Sequence, residues 1–261
     1  MFYYFCPVLR FAMYDNTCRF LAENFSADFA SWLLGKSVTL TEIQPSELSL
    51  DPIRADAMIL LQSDESILHL EFQTQPKEDI PFRMLDYRVR GQRRYKDKPM
   101  RQVVLYLKRS TSELVYQDYY ELERTRHEFD VIRLWEQPAS LFLQYPGLLP
   151  FATLGQSESP EGTLRQVTQI VDQIEDSTTQ ENLRAASAIL AGLKLDQDVI
   201  YRLVQRDIMQ ESVIYQSIQK EKAEEIALNF LRDGLSIEAV ARGTGLSIEE
   251  VQQLQQQLAQ N

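Results

Sequence analysis

The spacing of apolar side chains predicts that the chain begins with helix and continues as a sheet. Between residues 15 and 34, apolar positions recur every three or four residues, which is typical of an amphipathic helix on a core. Ser26 lies at a break that would divide this stretch into two helices, and Gly35 would end it. Residues 37–43 alternate between apolar and polar side chains, which favours a strand or an edge segment.

Four β-prone stretches follow, with one helix between the second and the third. The stretches are residues 53–61, 67–72, 101–107 and 129–135. The helix is predicted to begin near Pro81, to be capped by Asp79 and to end near Lys96. Strand, strand, helix and strand in this order predict a mixed β-sheet flanked by helices.

The rest of the chain is predicted to be helical. After an irregular stretch at residues 138–160, the apolar patterns have helical spacing. Ser236 is a candidate helix cap, and Ser247 with Glu250 forms a capping box, so two short helices meet at residues 243–245 with helix-turn-helix spacing. The predicted organisation is an N-terminal extension at 1–12, a core at 13–160, a helical region at 161–230 and a small helix-turn-helix-like segment at 231–261.

Composition narrows the class of protein. Of 261 residues, 44% are hydrophobic and 25% are charged, which suits a packed globular chain and excludes a disordered one. No apolar run approaches the length of a membrane-spanning helix, and the apolar opening lacks the basic leader of a secretory signal. With only two cysteines, the chain fits a reducing cytoplasm. The net charge of −11 excludes a generic nucleic-acid-coating protein, so any contact with nucleic acid needs a local basic patch.

Two acids in β-prone stretches are the strongest candidates for chemistry. Asp56 lies in the first stretch, and Glu71 follows fifteen residues later in the second, two residues before Gln73. Strand alternation places Glu71 and Gln73 on one face, and paired strands lie about 4.8 Å apart. Asp56 and Glu71 could then converge on one divalent cation, which would neutralise otherwise costly buried acids. The alternative is a pair of solvated acids at a sheet edge.

The predicted helix after Gln73 carries an unusual excess of positive charge. Between residues 83 and 101 there are eight Lys and Arg residues against two Asp residues. Read alone, this pattern favours a solvated amphipathic helix. Because the segment directly follows the candidate metal-binding acids, the pattern favours a surface that binds nucleic-acid phosphates. The candidate DNA-binding residues are Arg83, Arg88, Arg90, Arg93 and Arg94.

Together these segments resemble the PD-(D/E)XK nuclease superfamily and, more closely, the Rpn family of recombination-promoting nucleases and transposases of the cyanobacterial type. The resemblance extends over most of residues 13 to 215. The segments that carry it are residues 15–23, 53–56, 68–73, 83–88, 103–107, 126–129 and 132–136.

The resemblance implies a restriction-endonuclease-like core that hydrolyses DNA phosphodiester bonds with Mg²⁺, or with Mn²⁺, in recombination or in mobile elements. Asp56 and Glu71 match the two metal-binding acids, and the backbone carbonyl of Phe72 would be a third ligand. Gln73 stands where the superfamily usually has lysine. It lacks the positive charge but can orient a water by hydrogen bonding.

Other residues receive narrower interpretations. Asp15 matches an acid in the first helix of the family and is a further candidate metal ligand, with Glu23 as its competitor. His69 is interpreted as a packed residue rather than a ligand. Because no Lys or Arg follows Thr244, the C-terminal helix pair is predicted to be a capping module or a subunit contact rather than a DNA-recognition element.

Three functions remain open on the sequence alone. The first is a Mg²⁺-dependent DNA endonuclease, with a homodimer as the arrangement that would cut both strands. The second is a catalytically weak DNA-binding or assembly protein on the same fold, in which Gln73 would reflect lost chemistry. The third is a helical interaction scaffold that the N-terminal sheet merely supports.

Overall fold

The computed structural model describes residues 7–42, 58–204 and 212–260. It opens with two helices, α1 (Pro7–Asn24) and α2 (Ser26–Leu34). Phe25 separates them, and Gly35 ends α2 in the left-handed conformation at φ 67°, which glycine adopts at little cost. The predicted break and stop are thus confirmed. Helix α1 begins inside the stretch that was predicted to be an extension.

A mixed sheet of five strands forms the centre of the described structure, which confirms the predicted α/β class. The strands of the chain are β1 (Thr41–Glu42), β2 (Met58–Gln62), β3 (Ile67–Gln73), β4 (Met100–Tyr106), β5 (Tyr119–Leu122), β6 (Thr125–Glu128) and β7 (Asp130–Arg133). The sheet has the order β1-β2-β3-β4-β7. Neighbours are antiparallel from β1 to β3, whereas β3, β4 and β7 run parallel.

Strands β5 and β6 form a separate antiparallel hairpin that the sequence did not predict. Its turn lies at Glu123 and Arg124, and Glu123 has a positive φ of 53°. No Gly or Asn marks this turn, and most side chains of both strands are exposed. The hairpin therefore lacks both the turn residues and the alternating apolar face that identify such a motif in sequence.

Strand β3 is buried over its whole length, and its two faces differ in character. Leu68, Leu70 and Phe72 enter the main hydrophobic core. The alternate residues, His69 and Glu71 among them, face the opposite side, where helix α3 (Ile80–Arg94) packs. The site therefore lies between β3, β4 and α3. Asp79 occupies the predicted cap position of α3, but its side chain makes no capping hydrogen bond.

The remaining helices pack around the sheet and beyond it. They are α4 (Ala139–Phe142), α5 (Pro160–Val171), α6 (Ser177–Ala191), α7 (Gln197–Leu203), α8 (Val213–Arg232), α9 (Ile237–Thr244) and α10 (Ile248–Gln260). The irregular stretch contains a buried 3-10 helix, Pro146–Leu154. Val167 of α5 and Leu190 of α6 belong to the same core as Leu70 of β3, so residue 160 does not divide the hydrophobic core. Within the described ranges, no helix is both long and apolar enough to cross a bilayer.

Candidate active site

Glu71 is at the centre of a polar group buried between the sheet and α3. Its side chain has no solvent exposure. Arg83 of α3 donates from Nη2 to Oε1 of Glu71 at 2.8 Å. Gln73, on the same strand face, donates from Nε2 to Oε2 at 3.2 Å. Glu71 and Gln73 share one face of strand β3, as predicted. Arg83 reaches Glu71 from helix α3.

The ionisation of Glu71 is set by two opposing effects. Burial raises its pKa, while Arg83, Gln73 and Lys77 lower it, and burial prevails so that the pKa is raised. Burial also raises the pKa of Tyr106 to about 12, with a further contribution from the Glu71 charge. Only one-fifth of the Arg83 side chain is exposed. Among the described residues, a buried carboxylate that forms an ion pair with Arg83 is therefore the main electrostatic feature of this site.

Asp56, the predicted partner acid, lies outside the described residues, two positions before the first residue of β2. Phe72 has its ring in the core on the far face, stacked on Phe151 at 5.9 Å, so only its backbone could bind a metal here. Asp15 is on α1, which buries Cys18 in that same core. Glu23, also on α1, lies near Arg19 and Glu42. The metal-binding roles considered for these two acids of α1 stay predictions.

The described residues contain no group of three or more His, Cys, Asp and Glu side chains arranged to hold a metal ion. Glu71 and Gln73 nevertheless present oxygen donors, which are the ligands that Mg²⁺ prefers. A hard cation would also relieve the cost of burying Glu71, which is the cause of its raised pKa. The donor chemistry therefore fits Mg²⁺, provided that a second carboxylate comes from outside the described ranges.

A second hydrogen-bond network, centred on Gln102, includes both histidines of the chain. Gln102 of β4 donates from Nε2 to the carbonyl oxygen of Met84 at 2.8 Å, which fixes the orientation of its amide group. The same Nε2 is 2.8 Å from Nδ1 of His69, so Nδ1 accepts and the ring proton is on Nε2. Oε1 of Gln102 accepts from Nε2 of His127 at 2.8 Å. Burial, with Arg83 and His127, lowers the pKa of His69 to about 3, so the ring is neutral.

We expect Gln102→Leu to destabilise the protein by about 3 kcal/mol, because it removes the hydrogen-bond partner of Nδ1 of the buried His69 and of Nε2 of His127. The measurement is the free energy of unfolding in urea. Gln92→Leu, at an exposed position of α3, is the matched control and should stay within about 0.5 kcal/mol of the parent. Equal, small effects of both variants would show that the network through Gln102 does not stabilise the fold.

The five candidate DNA-binding arginines are not equivalent in the structure. Arg83 pairs with Glu71, and Arg90 pairs with Asp86 at 2.9 Å. Arg88 is half buried, and its Nη1 has no hydrogen-bond partner among the described residues. Arg93 and Arg94 are exposed at the end of the helix. Only the last two present unshielded charge to solvent.

The C-terminal helices form a small unit with its own apolar cluster. Ala227 of α8, Val240 of α9 and Val251 of α10 are buried together. The predicted capping box is present, since Ser247 and Glu250 each accept a hydrogen bond from the other's backbone N–H. A left-handed Gly245 separates α9 from α10.

Residues 220–256 match the model of the Rpn/YhgA-like nuclease family, C-terminal HTH domain. This match supports the predicted membership of the chain in the Rpn family. The PD-(D/E)XK superfamily is implied by that family, so the match supports the predicted resemblance as well. The family indicates a nuclease or transposase-like function, and its helix-turn-helix domain suggests DNA as a partner. No curated protein and no solved structure matches the chain significantly.

The family match covers α9 and parts of its two neighbours, and it includes none of the residues around Glu71. The roles of those residues therefore remain predictions. Sequence reasoning did not identify Gln102 and Tyr106 as neighbours of the site, although they pair in register with His69 and Gln73. The available signal was a lone polar residue, Gln102, within the apolar stretch at 101–107.

Proposed function

We propose that the protein is a Mg²⁺-dependent DNA endonuclease, acting in recombination or in mobile elements, whose metal site is formed by Asp56 and Glu71. The observation that carries the proposal is the fully buried Glu71 carboxylate beside Gln73 and Arg83. Burying a charged acid is costly, and such a group in a nuclease-family chain is best explained by a catalytic ion. Mn²⁺ is the expected substitute metal.

The bound ion would lower the pKa of a coordinated water and screen the charge that develops on the phosphate. Asp56 and Glu71 would hold the ion through carboxylate oxygens, and the backbone carbonyl of Phe72 would add a third donor. Gln73 keeps its amide nitrogen on Glu71 while its carbonyl oxygen accepts a hydrogen bond from the attacking water.

Arg83 provides the positive charge that Gln73 lacks at this position. In the structure its guanidinium is held on Oε1 of Glu71. Glu71 would hold the cation, whose charge would replace that of Arg83, and Arg83 would then bind an oxygen of the DNA phosphate. A guanidinium can donate two parallel hydrogen bonds to a phosphate, which orients it as well as neutralising it.

The test is incubation of the purified full chain with supercoiled plasmid in Mg²⁺ or in EDTA. Nicked or linear DNA is expected in Mg²⁺ alone, and Asp56→Asn should abolish it, because an amide is a poorer ligand for Mg²⁺ than a carboxylate. Cutting that persists in EDTA, or in Asp56→Asn at the parental rate, would contradict the metal site. Whether a homodimer cuts both strands is tested by comparing linear with nicked product.

The second candidate is a DNA-binding or assembly protein that does not cut. It is favoured by the fact that Arg83 and Gln73 already engage both oxygens of Glu71. The same experiment separates the two functions. Plasmid binding without nicking, in both Mg²⁺ and Mn²⁺, would support this candidate over the endonuclease.

A further inference from the structure

The arginines of α3 differ in whether an acid of the protein compensates their charge. Near the start of the helix, Arg83 is committed to Glu71. In the middle, Arg90 is committed to Asp86. These groups are compensated within the protein. They contribute little field at the surface, because each is paired with an acid at hydrogen-bonding distance.

At the C-terminal end of α3 the positive charge is not compensated in this way. We call the three cations there, Arg93, Arg94 and Lys96, the anchor cluster. All three side chains are exposed, and no ion pair joins them to an acid within the described parts of the chain. Lys98 adds a fourth cation nearby, bound to the carbonyl of Ser63 at 2.7 Å. The exposed Asp97 is the one acid between residues 93 and 98, so this short segment has a net charge of about +3.

Helix geometry gives the separation between the anchor cluster and Glu71. Arg83 touches Glu71, and Arg94 follows eleven residues later on the same helix. At 1.5 Å per residue the two arginines are about 16 Å apart along the helix axis. They are also on the same helical face, since eleven residues complete three turns. A duplex advances 3.4 Å per base pair, so this distance corresponds to about five base pairs.

The C-terminal unit does not offer a comparable surface. Residues 220–256 contain four basic and seven acidic side chains. Helix α10 carries no Lys or Arg, and its exposed surface includes Glu249 and five glutamines. Glutamine can contact base edges, but it neutralises no phosphate. The electrostatic part of DNA affinity must therefore come from elsewhere in the chain.

We propose that the anchor cluster binds backbone phosphates of duplex DNA about five base pairs from the phosphate at Glu71, and that it supplies more of the affinity than the helix-turn-helix unit does. This inference deepens the proposed function and rests on it for the position of the scissile phosphate. The duplex would lie along α3, with Arg83 at the reacting phosphate and Arg94 downstream.

The test compares two full-length double variants that lose the same charge. Arg93→Gln with Arg94→Gln removes two cations of the anchor cluster. Arg232→Gln with Arg242→Gln removes the two exposed arginines of the C-terminal helices. Binding to a fluorescent 30-base-pair duplex is measured by anisotropy in EDTA, where no cutting occurs, over a series of salt concentrations.

The first variant is expected to bind about thirtyfold more weakly at 0.15 M salt, with a log–log salt slope smaller by about 1.8, while the second stays close to the parent. Equal affinity of the first variant and the parent, or a larger loss in the second, would overturn the inference. Absence of parental binding would overturn it too. Anisotropy measures binding independently of catalysis. If binding depends on Arg93 and Arg94 but no plasmid is cut, only the proposed endonuclease activity is refuted. If plasmid is cut equally well without Arg93 and Arg94, only the proposed role of the anchor cluster is refuted.

Discussion

Glu71→Gln is expected to lower the rate of Mg²⁺-dependent plasmid nicking by about a thousandfold or more. The variant keeps the size of the side chain and removes the charge that would hold the ion. Metal stabilisation of a reacting phosphate is worth several kcal/mol, and about 4 kcal/mol corresponds to three powers of ten in rate. The measurement is the initial rate of nicking, together with the shift of Tm on adding Mg²⁺, which should also disappear.

Structure explains why Gln is a better test here than Ala. Glu71 has no solvent exposure, so Ala would leave a cavity and an unpaired Arg83 in addition to removing the ligand. Glu161→Gln is the matched control, because Glu161 pairs with Arg165 on the exposed surface of α5. It should nick DNA as the parent does. Parental nicking by Glu71→Gln would remove Glu71 from the catalytic site.

Arg83→Met is expected to destabilise the protein by about 3 to 5 kcal/mol at neutral pH, because it leaves Glu71 buried without its cation. Because Met fills much of the same volume, the loss of stability measures mainly the effect of removing the positive charge. The free energy of unfolding in urea is the measurement. Arg165→Met, which breaks an exposed ion pair on α5, should cost no more than about 1 kcal/mol.

A double variant distinguishes a charge effect from a packing effect. Arg83→Met combined with Glu71→Gln buries neither charge, so it should be more stable than Arg83→Met alone. If the double variant is as unstable as the single one, the loss comes from packing of the arginine stem. If Arg83→Met alone is nearly neutral, the ion pair seen at 2.8 Å does not compensate Glu71 in solution.

The main strands and helices could be predicted from local patterns, because each has a periodic sequence of its own. Strand β3 alternates, α3 has a helical stripe with Pro81 in its first turn, and Gly35 ends α2. The hairpin of β5 and β6 could not be predicted in this way. It is stabilised by contacts made at a distance, such as the hydrogen bond from His127 to Gln102.

At the candidate site, the pattern of β3 was enough to place Glu71 and Gln73 on one face. The same pattern could not show that Arg83 would form an ion pair with Glu71. Helical spacing only states that Arg83 and Arg94 share a face. Which of them meets an acid depends on where the helix crosses the sheet, and the structure places Arg83 there.

The order of side chains along each element, and hence the class of fold, follows from the chain itself, because alternation and capping are local. The partners of the buried polar groups were decided only by the tertiary structure. Glu71 and Arg83 are twelve residues apart in the chain, and His69 and Gln102 are thirty-three apart. Their pairing depends on how strands and helix pack, because burial makes each unpaired charge or hydrogen-bonding atom costly.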